Sequence, residues 1–87
     1  LNLTQIISKY RAERELSLRD FAAQLGKDLP ETISHQTIKN WEDGVTKPSY
    51  YLIYAIAMNT FDWRRDMAFE ILAVLRPDLH PVEEANG

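Results

Sequence analysis

An all-α fold is predicted by three features of this 87-residue chain. It contains only three glycines and four prolines. No segment alternates β-branched and polar residues with the two-residue period of a half-buried strand. A short polar residue able to cap a helix stands at the head of each apolar-periodic stretch. Together these features predict five helices.

The first is expected over residues 3–15, with Asn2 or Thr4 as its cap and Ile6, Ile7 and Tyr10 facing inward, Arg14 sharing their spacing. The second opens at Ser17-Leu18-Arg19-Asp20, where a hydroxyl at the N-cap and a carboxylate three residues later can each take a backbone N–H. Phe21, Ala22 and Leu25 face inward, and Gly26 ends the helix. Residues 27–32, Lys-Asp-Leu-Pro-Glu-Thr, are polar and proline-bearing, and read as a connector.

Ser34 caps a third helix that runs to 41 or 42, and Asp43-Gly44 stops it. Ile38 and Trp41 form its inner side, which leaves His35, Gln36, Lys39 and Asn40 on the other. Lys47-Pro48-Ser49 opens the fourth helix, residues 50–59. That helix is apolar almost all round and is expected to be central and buried.

Asp62 caps the fifth, which runs from Trp63 to about Arg76, where Pro77 blocks it. Trp63, Met67, Ile71, Val74 and Leu75 make one side, Ala68 and Leu72 widen it, and Phe69 and Ala73 lie behind. So wide an apolar surface exceeds a single core-facing stripe. Phe69, Leu72 and Ala73 are therefore candidates for a two-fold dimer contact or for packing on a further domain, against an ordinary buried helix with a stray aromatic. Residues 77–87 read as a loosely held tail behind a domain of residues 1–76.

Composition narrows the function. The chain carries no cysteine, so disulfides and thiolate metal sites are excluded. No run approaches the roughly 18 apolar residues of a membrane span, and no secretory leader pattern is present, so a cytoplasmic protein is expected. A start at Leu1 rather than methionine suggests a trimmed or excised chain. His35 and His80 are the only histidines and have no zinc-ligand spacing. Ser34 and His35 are neighbours, which on a helix point about 100° apart and cannot pair as nucleophile and base. Paired carboxylates and a glycine-rich phosphate loop are missing too, so neither enzyme activity, metal, cofactor nor small-molecule ligand is expected.

The formal charge is −3 and the pI about 5.3. Residues 1–48 balance Lys9, Arg11, Arg14, Arg19, Lys27, Lys39 and Lys47 against as many acids, and the remainder is acidic. Since non-specific nucleic-acid affinity comes mostly from neutralised phosphates, bulk DNA should bind weakly. Net charge is nonetheless silent on how charges are distributed over faces.

A helix, a turn and a second helix with polar groups outward is how a helix-turn-helix module offers side chains to the major groove. The order Leu16-Ser17, Phe21-Ala22-x-x-Leu25-Gly26, Ile33-Ser34-x-x-Thr37-Ile38-x-x-Trp41-Glu42-x-Gly44 and Pro48-Ser49 resembles the lambda-repressor-like helix-turn-helix family, over about residues 5–60. That resemblance implies a five-helix DNA-binding domain acting as a transcriptional regulator, repressor-like, bacterial or prophage, on duplex DNA and as a homodimer. It implies base reading by His35, Gln36 and Asn40 with Thr37 at the margin of that surface, and backbone contacts from Ser34, Lys39, Lys47 and Ser49. Arg11 and Glu42 match an internal ion pair of some members.

Independently of any family, the carboxamides of Gln36 and Asn40 can pair with the N6 and N7 atoms of adenine. For His35 and Lys39 an ordinary solvated helix residue is the competing reading, and Trp41 is core rather than a base-stacking platform. The sequence departs from the family pattern in the lengthened turn 27–32, which bears on the angle of the third helix and brings Lys27 toward a phosphate. It also has Leu18 where phage repressors commonly place a phosphate-contacting glutamine, with Arg19 beside it as a substitute. The alternative function is a protein-interaction or antitoxin-like module that binds a partner through the fifth helix and the acidic second half.

Overall fold

The computed structural model describes residues 2–75. Arg76, the tail 77–87 with His80, and the domain boundary between them lie outside the described residues. Five helices follow in order: α1 Leu3–Glu13, α2 Leu18–Leu25, α3 His35–Glu42, α4 Tyr50–Asn59 and α5 Trp63–Leu75. The described residues form no strand.

Each helix starts where a short polar side chain takes an orphan N–H. Asn2 accepts from the Gln5 N–H, and the Gln5 side chain accepts from the Asn2 N–H, closing a full capping box on α1. Ser17, Ser34 and Ser49 accept from Asp20, Thr37 and Leu52, and the Asp62 carboxylate accepts from the Arg64 N–H. The reciprocal bond expected from Asp20 does not form, because its carboxylate is one methylene shorter than the Glu or Gln that completes such a box.

Two helix ends use left-handed residues. After α3, Gly44 has φ +76°, with its N–H on Trp41 O at 3.2 Å and the Val45 N–H on Asn40 O at 2.8 Å, a Schellman motif. After α1 the same bonds run from Glu15 to Ala12 and from Leu16 to Arg11, with Glu15 at φ +53°. This ends α1 at Glu13 rather than at 15. Gly26 closes α2 with right-handed backbone, and the left-handed residue of that region is Asp28, at φ +68° inside the connector. A Cβ at Gly26 would meet Ile33 Cβ at 3.7 Å, an ordinary contact.

Helix α1 packs against α3 and α5, while α2 packs on α3 and α4 on α5. The shared core takes Ile6, Ile7, Phe21, Leu25, Ile38 and Ile53 among others, all fully buried. Trp63 joins three helices, with its ring 5.4 Å from Phe21 and 6.2 Å from Tyr10, and the Arg14 guanidinium lies 4.4 Å over its face.

Two expectations need correction. Helix α4 is not buried all round: Leu52, Ile53, Ile56 and Ala57 face inward, but Tyr51 and Met58 are 67% and 60% exposed, and Tyr50 and Tyr54 are exposed as well. Its main packing partner is α5, so one side suffices, and on the other the Tyr50 hydroxyl donates to Leu75 O at 3.1 Å. On α5, Val74 is exposed rather than in the core, and Leu72 is half-buried against the core rather than free on the surface.

Tyr10 donates to a Glu70 carboxylate oxygen, and Lys9 holds the other oxygen at 3.0 Å. Burial, reinforced by the bond to Glu70, pushes the Tyr10 hydroxyl up to about 12 from 10.0. The folded state thus favours the protonated phenol. Its contribution is complete below pH 10 and is lost as pH rises toward about 12, because the unfolded chain ionises first. Tyr10→Phe should flatten this alkaline decline in pH-dependent urea unfolding. In the same assay Gly44→Ala should cost about 1 kcal/mol, all of it backbone, since the new Cβ would meet only Thr4 Cγ2 at 3.9 Å. Glu15→Gly should stabilise by about 0.5 kcal/mol.

Candidate nucleic-acid interface

Helix α3 has two unlike sides. Ile38 and Trp41 are 0% and 3% exposed, against Gln36 and Lys39, which are exposed. His35, Thr37 and Asn40 are half-buried on the flanks. The outward row is cross-linked by side chains one turn apart. Gln36 Nε2 donates to Asn40 Oδ1 at 3.1 Å, and Lys39 Nζ to Asp43 Oδ2 at 2.9 Å. Lys39 is therefore paired with a neighbour on its own helix end. At the N-terminus the hydroxyls of Ser34 and Thr37 lie 2.9 Å apart, and Ser34 Oγ also takes the Thr37 N–H.

Arg11 and Glu42 form a two-pronged ion pair, Nε to Oε2 at 2.7 Å and Nη2 to Oε1 at 3.0 Å. The third arm of Arg11, Nη1, donates to Leu16 O at 3.0 Å. One guanidinium thus joins α1, the C-terminal turn of α3 and the entry to α2. The bond to Glu42 raises the Arg11 pKa above its ordinary value.

The lengthened connector is held at two levels. Ile33 is buried and Leu29 packs half-buried on the core. From α5, Arg64 Nη1 donates to Gln24 O at 3.0 Å and to Lys27 O at 2.9 Å, while its Nε and Nη2 grip the Asp62 carboxylate at 3.0 and 3.2 Å. Arg64 is 8% exposed, and it closes the negative end of α2. The sequence reading missed this residue. Its position one turn before Met67 and Ala68, on the buried side of α5, is the signal that was available.

Charge is distributed unevenly. Lys9, Arg11, Arg14, Lys39, Arg64 and Arg65 are each engaged by a carboxylate or an aromatic ring. Among the described residues, Arg19, Lys27 and Lys47 are exposed cations with no such partner. They stand in the first turn of α2, just beyond its last turn, and two residues before the cap of α4. Leu18 beside Arg19 packs half-buried on the core and offers no polar contact. Ser49 Oγ is occupied by the Leu52 N–H at 3.1 Å. Away from α3, Phe69 and Ala73 are exposed, and Arg65 lies 5.3 and 5.7 Å from the rings of Phe61 and Phe69.

No group of three histidine, aspartate or glutamate side chains among the described residues is placed to hold a metal ion. No described helix is long and apolar enough to cross a membrane.

A helix-turn-helix family model matches residues 7–59, from within α1 to the last residue of α4. The chain belongs to the lambda-repressor-like helix-turn-helix family. This is a DNA-binding family rather than an enzyme family, and membership suggests a DNA-binding transcription regulator. In helix-turn-helix terms α2 and α3 are the motif, with α3 as its second helix. Helix α5, which supplies Arg64, lies beyond the matched region. Neither a curated protein nor a solved structure matches the chain.

Arg64→Ala should lower stability by about 2–3 kcal/mol, since it removes a buried guanidinium and its charged bonds to the Gln24 and Lys27 carbonyls and to Asp62. Arg64→Lys should recover part of this, having the charge without the fork. The bond to Arg64 holds the Asp62 carboxyl below its ordinary range. That contribution is present above the unfolded aspartate pKa and is lost as pH falls through the lower folded value. Thermal unfolding against pH should show this acid-side decline in the wild type and a shallower one in Arg64→Ala.

Proposed function

We propose that the protein is a sequence-specific, repressor-like regulator of bacterial or prophage transcription, working in the cytoplasm on duplex DNA. Helix α3 enters the major groove. Gln36 and Asn40 read base edges there, with His35 and Thr37 on the flanks. Arg19, Lys27 and Lys47 meet the phosphates, together with the backbone N–H groups that open α3 and α4 at Ser34 and Ser49. The observation that carries this reading is the polar outward row of α3, in a chain whose exposed, unengaged cations stand at the two ends of α2 and before α4. Lys39 is a weaker phosphate contact than its position implies, since it must first leave Asp43. Few free cations mean weak non-specific binding, so discrimination rests on base contacts and on dimerisation.

The dimer contact is assigned to Phe69 and Ala73, with Leu72 contributing at the edge of the core. A second reading, a partner-binding module on the same fold, is favoured by the exposed rings of Phe61 and Phe69 around Arg65.

Selection of binding sites from random duplex DNA, at low and at physiological salt, separates the two. DNA reading by a dimer predicts a pseudo-palindrome with half-sites about 34 Å apart. Gln36→Ala or Asn40→Ala should then cost about 1–3 kcal/mol and relax preference locally, while Lys47→Ala weakens all sequences alike and lowers the salt dependence. No enriched motif at either salt would sink the DNA reading in favour of the partner module.

A further inference from the structure

We infer that Gln36 and Asn40 do not read bases independently: they form one coupled amide unit, in which Gln36 reads an adenine and Asn40 sets the orientation of its amide. This rests on the DNA-binding reading above and adds to it a base and a division of roles.

The starting point is the bond from Gln36 Nε2 to Asn40 Oδ1, 3.1 Å long and one helical turn apart on the outward row of α3. A free glutamine can turn its amide over and offer either order of donor and acceptor. Tied to Asn40, it cannot do so alone, because its Oε1 would then face Oδ1, acceptor against acceptor. The two amides therefore turn together or not at all. In the observed arrangement Gln36 has spent one N–H on Asn40, and the second N–H and the Oε1 acceptor remain unengaged.

That remaining pair matches adenine, whose major-groove edge presents the N7 acceptor next to the N6 amino donor. Guanine presents two acceptors, N7 and O6, so Oε1 would stand against O6. Asn40 keeps both N–H groups of its own amide for a neighbouring base or a groove water.

The surroundings leave the unit intact. Lys39 is drawn to Asp43 on the next turn, and the Ser34 and Thr37 hydroxyls bond to each other, so none of the three competes for the amides. A hydrogen bond of this kind is weak on a wet helix surface, but it strengthens once the groove excludes water, which is when orientation matters. Asn40 is half-buried and Gln36 is exposed, so the member nearer the core steadies the freer one.

The test is site selection with the full chain, comparing wild type, Gln36→Ala, Asn40→Ala, Asn40→Asp and the double alanine variant, each checked for wild-type helix content and melting. Coupling predicts that Asn40→Ala relaxes the adenine preference at the base pair assigned by Gln36→Ala, as well as any preference of its own. It predicts that the loss in the double variant is smaller than the product of the single losses by about threefold or more. Asn40→Asp, whose carboxylate only accepts, should keep the Gln36 amide oriented and preserve the adenine preference even as overall affinity falls. Strictly local single effects that multiply in the double variant would overturn the coupling and leave the DNA reading standing. A wild type that selects no motif would overturn both.

Discussion

The polar face of α3 exists because Ile38 and Trp41 hold the opposite face in the core. An eight-residue helix has little intrinsic stability in water, so its order must come from tertiary contacts. Burial of these two side chains supplies about 1.5–3 kcal/mol each, and it also sets the rotation of the helix about its own axis. With the rotation fixed, Gln36 and Lys39 can point only outward. The ends are fixed separately, by Ser34 at the start, by the left-handed Gly44 at the stop, and by Arg11 gripping Glu42. A helix fastened at its inner face and both ends holds its outward side chains in a fixed direction.

The acidic net charge and the DNA-binding family membership cease to conflict once each cation is followed to its partner. Most of the basic side chains in the described residues are structural. Arg11 ties α3 to α1, Arg14 caps the aromatic stack, and Arg64 closes the connector. Acids are likewise consumed, with Glu42, Asp62 and Glu70 each bound to a cation. Among the described residues the cations left exposed and unengaged are Arg19, Lys27 and Lys47. Electrostatic attraction of this kind is modest and local, which suits discrimination between sequences better than general affinity.

The long connector shows how a departure from a family's pattern is accommodated. Six added residues on a free loop would leave α3 loosely aimed. Here Leu29 and Ile33 anchor the segment on the core, and Arg64 reaches from α5 to bind the carbonyls of Gln24 and Lys27. The placement of α3 therefore depends on a helix outside the matched region. The face of α5 that carries Phe69 begins one residue from Arg64, with Arg65 lying between the rings of Phe61 and Phe69.

By itself the sequence determined whatever depends on neighbours along the chain. Helix starts followed from Ser17, Ser34, Ser49 and Asp62, because capping needs a short polar side chain within a turn of a free N–H. The stop at Gly44 and the inner faces of α2 and α3 followed from backbone chirality and the 3.6-residue period. Other features were decided only in the tertiary structure. Glu15 in a left-handed C-cap has no glycine to announce it, and Arg64 reads as a solvent-facing charge until the connector is folded over it. The half-exposed α4 looked central because hydrophobic count reports what a helix can bury, whereas packing on α5 decides how much it does. The state of each charge has the same origin: a basic residue is visible in sequence, but whether a carboxylate from a distant helix has already claimed it depends on distances that no local pattern contains.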